Sequence, residues 1–386
     1  MSVGPIEPIS RGQFFLITTT SVVVGGVYIW PQTVLTDAGL DAPWAVLLSI
    51  SVALGITWLQ TLWPPKTTGM TELGRMQAVW GWGRWPVFLA TAALYVPLDG
   101  ALVALFSQLL QQLYYRYTPL WFFTITVLLM AGWLASHSLA HIARNIQLWF
   151  PLLLASFCLL TLMALGHFHE TAALHPASVI RVVPIAKGVV ATWYLWMQGE
   201  VIVTVGGHVR ETTWTQIRHW ALAAVALQGA IILIIYALVV GTLGPAVAET
   251  LEWPLVYIFS NLTVRTLFIS RPSIVIVVAW VVALILYLTL HVFVLTVNLQ
   301  DGWSLSARGR VGLVWALIGL LGGIAWGLPS PVAATDLVVH WIDPPALGVT
   351  IITSLGAPWL VRRRPVRERT PVSPTSGSQL RDSPPS

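Results

Sequence analysis

Residues 191–207 read ATWYLWMQGEVIVTVGG, an apolar run broken near its middle by Gln198-Gly199-Glu200. A second broken run, TTTSVVVGGVYIWP at 18–31, places Gly25-Gly26 close to its centre. Each break lies in an apolar span of about 20 residues, the length that crosses a bilayer as a helix. Backbone amides in lipid must be satisfied by the chain itself, so irregular backbone at that depth survives only where it lines a cavity. Working outward from the breaks, ten spans can be marked near 13–36, 43–63, 85–113, 119–136, 147–166, 184–205, 218–242, 272–299, 309–327 and 344–361. The broken spans are the first and the sixth, each opening a group of five. Five is odd, so a second copy of the unit enters the membrane from the opposite side. That is the pattern of an inverted-repeat transporter with its site at the breaks. Glycine also serves close helix packing in membranes, and it is the matched position of the two breaks that favours a site. The repeats cover about 13–166 and 184–361, forming one ten-helix domain over 13–361.

Composition agrees. Of 386 residues, 56% are hydrophobic and 9% charged, with a mean hydropathy of +0.77. A soluble domain carries about 25% charged residues, which excludes an ordinary soluble enzyme, and disorder needs the opposite balance. One cysteine, Cys158, excludes internal disulfides and thiolate metal clusters. The net charge of +5 comes largely from the tail RRRPVRER, which carries orientation information and is no nucleic-acid signal. With the N-terminus inside, fifteen Lys and Arg fall on the inner side and five on the outer, so both termini are expected in the cytoplasm. Residues 1–12 then form a cytoplasmic segment and 362–386 a disordered basic tail. The first apolar stretch lacks a cleavage site and is expected to be retained. The amphipathic stretch 252–268 is expected as a surface helix outside the core.

Thirteen of the fifteen acids are expected in loops or tails, leaving Asp99 in span three and Glu200 at the span-six break. An ionisable group at membrane depth is expensive and faces a cavity or a partner. Either carboxylate suits a substrate ammonium or a proton, or else caps freed backbone or pairs with a distant arginine. Freed N–H groups at half-helix starts suit a carboxylate, and freed carbonyls suit an ammonium or a cation. Trp193 and Trp196 are candidates for lining a cavity, whereas most tryptophans mark span ends as an interfacial belt. In span eight, Tyr287, Thr289 and His291 fall near the membrane centre. Thr289 offers a hydroxyl to a site or bonds back to its own helix. His137 and His141 have a ligand-like spacing without a third ligand, so no metal site is assigned. No phosphate loop, nucleophile elbow or HExxH is present. Neither a catalytic residue nor a cofactor is expected, and the chain is not expected to be an enzyme.

The opening ISRGQFFLITTTSVVVGGVYIWPQTVLTDAGLDAPW resembles the start of the spore germination permease family, the integral-membrane B subunits of spore germinant receptors within the amino acid–polyamine–organocation superfamily. The pattern is carried by Ile9, Ser10, Gln13 and Phe14, then Gly25, Pro31, Ala38, Gly39, Asp41 and Trp44, with Pro43 as one extra residue. YLWMQGEVIV matches the family's aromatic-x-x-Gly-Glu segment at Gly199 and Glu200. Residues 253–294 are similar to its outer helix and eighth span, although Ser270-Arg271-Pro272 stands where an acidic residue is common. The resemblance spans roughly 9–361 and is most specific over its first forty residues.

It implies a LeuT-type fold of ten helices with spans one and six unwound. It further implies a subunit that senses a nutrient germinant, an amino acid, in the inner membrane of the spore, beside A-type and C-type partner subunits. In that setting the N–H groups at Gly25 and Gly26 hold the ligand carboxylate. Gln198, Gly199 and Glu200, with Asp99 opposite, meet its amino group, and Trp193 and Tyr95 shape the pocket. The alternatives are a proton-coupled amino acid permease working through Glu200 or Asp99, and a channel for ions or small molecules released in germination.

Overall fold

Helix occupies each of the ten expected spans in the computed structural model, which describes residues 6–23, 29–63, 68–175, 178–261 and 273–363. The first half runs α1 (Arg11–Val23), α2 (Trp30–Ala38), α3 (Ala42–Gln60), α4 (Glu72–Trp80), α5 (Arg84–Leu113), α6 (Leu120–Ala135) and α7 (Leu139–Leu165). The second half opens with α8 (Val182–Ala191), a 3₁₀ turn at Trp193–Trp196, and α9 (Gly199–Gly206). It continues with α10 (Trp214–Leu243), α11 (Pro245–Thr250), α12 (Pro254–Asn261), α13 (Ser273–Trp303) and α14 (Ala307–Gly327). The last span is α15 (Pro331–Asp336), a π-helical turn at Leu337–Ile342 and α16 (Asp343–Arg363). Among the described residues, seven helical stretches are long and apolar enough to cross a membrane, with α6 and α8 as shorter apolar helices. The chain is an all-helical, multi-pass membrane protein. Exposed leucines such as Leu148, Leu152, Leu159 and Leu162 along α7 are the lipid face such a fold requires.

The elements on either side of the breaks pack on one another. α1 lies against α10, α7, α13 and α9, while α2 lies against α8 and α3. Gly25, Gly26 and the rest of 24–28 fall outside the described residues, as do Ser270-Arg271-Pro272 and the tail from 364.

Two boundaries differ from expectation. Span ten begins at Pro331, not at 344, because Ser330 caps its start by accepting from the Ala333 N–H at 3.2 Å and the helix runs on through 337–342. Pro344 and Pro345 bring no N–H to the carbonyls one turn back, and a π turn stands there. The described part of 252–268 is not outside the core. Leu255, Val256 and Phe259 of α12 are fully buried among core residues, with α12 against α10 and α13. Its apolar face is an inner face.

Two buried arginines tie helix ends to the body of the bundle. Arg310 on α14 is 1% exposed and donates to the carbonyls of Ala135, Ser136 and His137 at 3.0, 2.9 and 3.2 Å. These are the C-terminal carbonyls that α6 cannot satisfy internally. Arg75 on α4 donates to the Val203 carbonyl of α9 and lies over the rings of Trp214 and Trp63, at 4.9 and 5.7 Å. Burial pushes Arg75 down to about 9 against the opposing charge of Glu72. Partly buried Glu72 is pushed up to about 7 by the same desolvation, with Arg75 opposing.

Replacing Arg310 with Met should lower stability by about 1.5–3 kcal/mol, the worth of charge-assisted hydrogen bonds left unmade, read as thermal unfolding in detergent. A carboxyl whose folded pKa lies above its unfolded value holds its proton more tightly when folded. Glu72 therefore stabilises fully below pH 4.5, and that contribution disappears as pH rises to about 7. Unfolding midpoints measured across that window should fall with pH in the wild type and flatten in Glu72→Gln.

Candidate functional site

The break in span six extends from Thr192 to Gln198. The Thr192 hydroxyl closes α8 by donating to the Gly188 carbonyl at 2.9 Å, and Gln198 leaves helical geometry at φ −137°, ψ 6°. Gly199 then starts α9 where the Gln60 side chain of α3 approaches so closely that a β-carbon would collide with it.

Two polar clusters meet at the break. In the first, the Ser21 hydroxyl donates to Gln198 Oε1 at 2.9 Å, and Gln198 Nε2 donates to Gln228 Oε1 at 2.9 Å. Gln228 Nε2 donates in turn to the Thr18 carbonyl at 2.6 Å and the Thr19 carbonyl at 3.2 Å. Ser21, Gln198 and Gln228 are all buried. Three elements, α1, the break and α10, are thus joined by amide and hydroxyl bonds at a depth where an unmade one is costly.

The second cluster follows from helical spacing. Tyr95 and Asp99 stand four apart on α5, and Tyr287 and His291 stand four apart on α13, so each pair shares a face. Across the interface, His291 Nδ1 lies 3.1 Å from Asp99 Oδ1, and the Tyr287 hydroxyl faces the same carboxyl. The His291 ring packs on Tyr287 and Tyr95 at centroid distances of 4.1 and 5.4 Å. The Tyr95 hydroxyl in turn lies against the Gly199 N–H, and Glu200 is within electrostatic reach of both Asp99 and Tyr95. One Glu200 oxygen, Oε1, has no hydrogen-bond partner among the described residues. Carboxyl, imidazole and phenol groups are therefore assembled around the start of α9, a set able to exchange a proton or to receive an ammonium.

Of the residues singled out from sequence, Tyr95, Asp99, Gly199 and Glu200 come together here, with Gln198 in the adjoining amide cluster. Trp193 is fully buried in the 3₁₀ turn, and its indole N–H has no acceptor among the described residues. Thr289 sits elsewhere. Its hydroxyl bonds back to Ile285 at 2.7 Å and lies 3.4 Å from the Ala131 carbonyl of α6. His137 and His141 are engaged locally, with Trp133 and Ser138, and no group of three or more potential metal ligands occurs among the described residues. Sequence reasoning missed Gln228 and Ser21, and left His291 unpaired. Their signal was a lone polar side chain at mid-span. It also missed Asp343, expected in a loop and found inside span ten.

A cavity of about 1690 Å³ opens at the end of the bundle that carries Ile9. Its walls include Thr71, His208, Asp301 and Val297, and it reaches Phe293, two residues along α13 from His291. Burial pushes the His208 imidazole down and Arg75 acts the same way, while its hydrogen bond to the Thr204 carbonyl and the charge of Asp301 oppose them.

This architecture is shared with solved transporters. MhsT in complex with L-phenylalanine matches with a TM-score of 0.70 at 14% identity, over 93% of this chain and 96% of that one. Mhp1, a nucleobase-cation-symport-1 family transporter, matches at 0.59 and 12% identity, over 95% and 96%. A Na+-coupled sialic acid symporter matches at 0.61 and 9%, over 91% and 78%. The class is thus a LeuT-fold, transporter-like membrane protein. Among curated proteins, spore germination protein YndE of Bacillus subtilis (strain 168) is 23% identical over 290 residues, 73% of this chain and 77% of that protein. Residues 8–320 match the spore permease family, described as spore germination protein, and the chain belongs to that family.

Gln228→Leu removes the donor to Thr18 and Thr19 and should cost about 1–3 kcal/mol of stability, read by thermal unfolding. Ser21→Ala, which removes one donor to Gln198, should cost less.

Proposed function

We propose that this chain is the ligand-sensing membrane subunit of a germinant receptor, non-enzymatic, acting in the inner membrane of the spore with both termini in the cytoplasm. Its ligand is an amino acid held at the span-six break, and its working partners are A-type and C-type receptor subunits. The observation that carries this reading is the buried start of α9. There Glu200 presents an unpartnered carboxyl oxygen, with Tyr95 against the Gly199 N–H and Asp99 within reach. An ammonium suits that carboxyl. That MhsT was solved with L-phenylalanine supports the same ligand class.

A second reading, a proton-coupled amino acid permease, is favoured by the buried Asp99–His291 pair.

Glu200→Gln, made in the native host, should shift the germinant dose response by about tenfold or more at normal protein level. That is the worth of one charge-assisted hydrogen bond. An unchanged curve sinks the assignment of Glu200 to the ligand. Proteoliposome uptake separates the two readings: accumulation driven by a pH gradient and abolished in Asp99→Asn identifies the permease.

A further inference from the structure

Span ten holds a third carboxyl at depth. Asp343 begins α16 directly after the π turn, is 0% exposed, and lies on a helix packed against the 3₁₀ turn of span six. Its carboxyl faces the Tyr194 backbone, yet neither oxygen completes a hydrogen bond to a donor among the described residues.

The charged and titratable groups on the elements around it are committed elsewhere. Lys187 on α8 is exposed. His340, in the π turn, is 66% exposed and lies 3.0 Å from Asp336. On α5, Tyr95 and Asp99 belong to the His291 cluster, and Arg84 lies over Trp85 at the far end of the helix. On α4, Arg75 reaches Val203 and Glu72 is its neighbour. Helix α3 contains no ionisable side chain, and Tyr194 meets Asp343 through its backbone.

A bare carboxylate in such surroundings is far costlier than a carboxylic acid. A metal ion would need several oxygen ligands and room for them. Asp343 lines neither the large cavity nor the small apolar one between Thr19, Phe157 and Phe259. The cationic species that needs no cavity is a proton.

We propose that Asp343 is a proton-binding site at the junction of span ten with the break of span six, occupied while the Trp193–Trp196 turn lies against it. The proton comes from water and adds to a carboxylate oxygen, giving the acid; release returns it to water. Displacing the turn and releasing the proton favour each other, because linkage between two equilibria is reciprocal. This site is separate from Glu200 and Asp99, and it stands whether the chain senses or transports.

The test is infrared spectroscopy of the full chain in lipid nanodiscs, with no ligand added, titrated from mildly acidic to alkaline pH. Wild type should show a carboxylic-acid carbonyl band from a weakly hydrogen-bonded group, and Asp343→Asn should lack that component. Raising the pH should remove the wild-type band together with a change in tryptophan emission, since Trp193 and Trp196 form the turn. Asp343→Asn should show neither change. An identical band in Asp343→Asn overturns the proposal, as does a tryptophan change that persists in it. If Asp343→Asn fails to fold, the titration is run on Glu200→Gln/Asp99→Asn, which removes the other two carboxyls at depth. Band loss and emission change with one midpoint there support the site, and a missing band or separate midpoints overturn it.

Discussion

Every backbone amide in hydrocarbon must find a partner within the protein, and the break at Thr192–Gln198 is where this chain meets that constraint most severely. A continuous helix would satisfy the constraint and leave no site. The chain instead interrupts span six and repairs the interruption with side chains. Thr192 closes α8, Gln198 is held by Ser21 and Gln228, and the Tyr95 hydroxyl lies against the first N–H of α9. What is left over after the repair is polar: a carboxyl oxygen on Glu200, and a His–Asp pair one helix away.

The fold was largely legible in the sequence because two of its signals are additive. Hydropathy summed over some twenty residues marks spans, and glycine placed inside a span marks a break. Span ten was misjudged for a physical reason. SPVAATDLVVHWIDPP averages a mild hydropathy, and Asp343 with two prolines reads as a loop. In the bundle the same residues make a π turn, whose widened geometry suits the two missing N–H groups. The helix at 254–261 was misjudged for a different reason: a short amphipathic stretch suggested a surface, but the tertiary fold supplied α10 and α13 to cover its apolar face.

Side-chain roles were legible only in part. Asp99 and Glu200 stood out because charge at depth is rare, and Gly199 because it sits in the break. Pairing is a tertiary fact, so nothing in the sequence linked His291 to Asp99 across 192 positions, or Gln228 to Thr18 across 210. Thr289, equally central along its span, turns its hydroxyl to Ile285 and Ala131. Depth alone did not reveal which way it points.

The short parallel bridge between Ile9 and Val209 has a mechanical meaning. The Ile9 N–H donates to His208 at 3.1 Å, the Arg210 N–H to Ile9 at 2.9 Å, and Arg11 reaches the Glu211 carbonyl at 3.0 Å. The entry to α1 and the exit from α9, almost 200 residues apart in sequence, are therefore stitched edge to edge. Neither half-helix can swing without dragging the other or tearing that seam. The two broken spans thus share one handle at this end of the bundle, and a pull on the residues just before α1 is delivered to both.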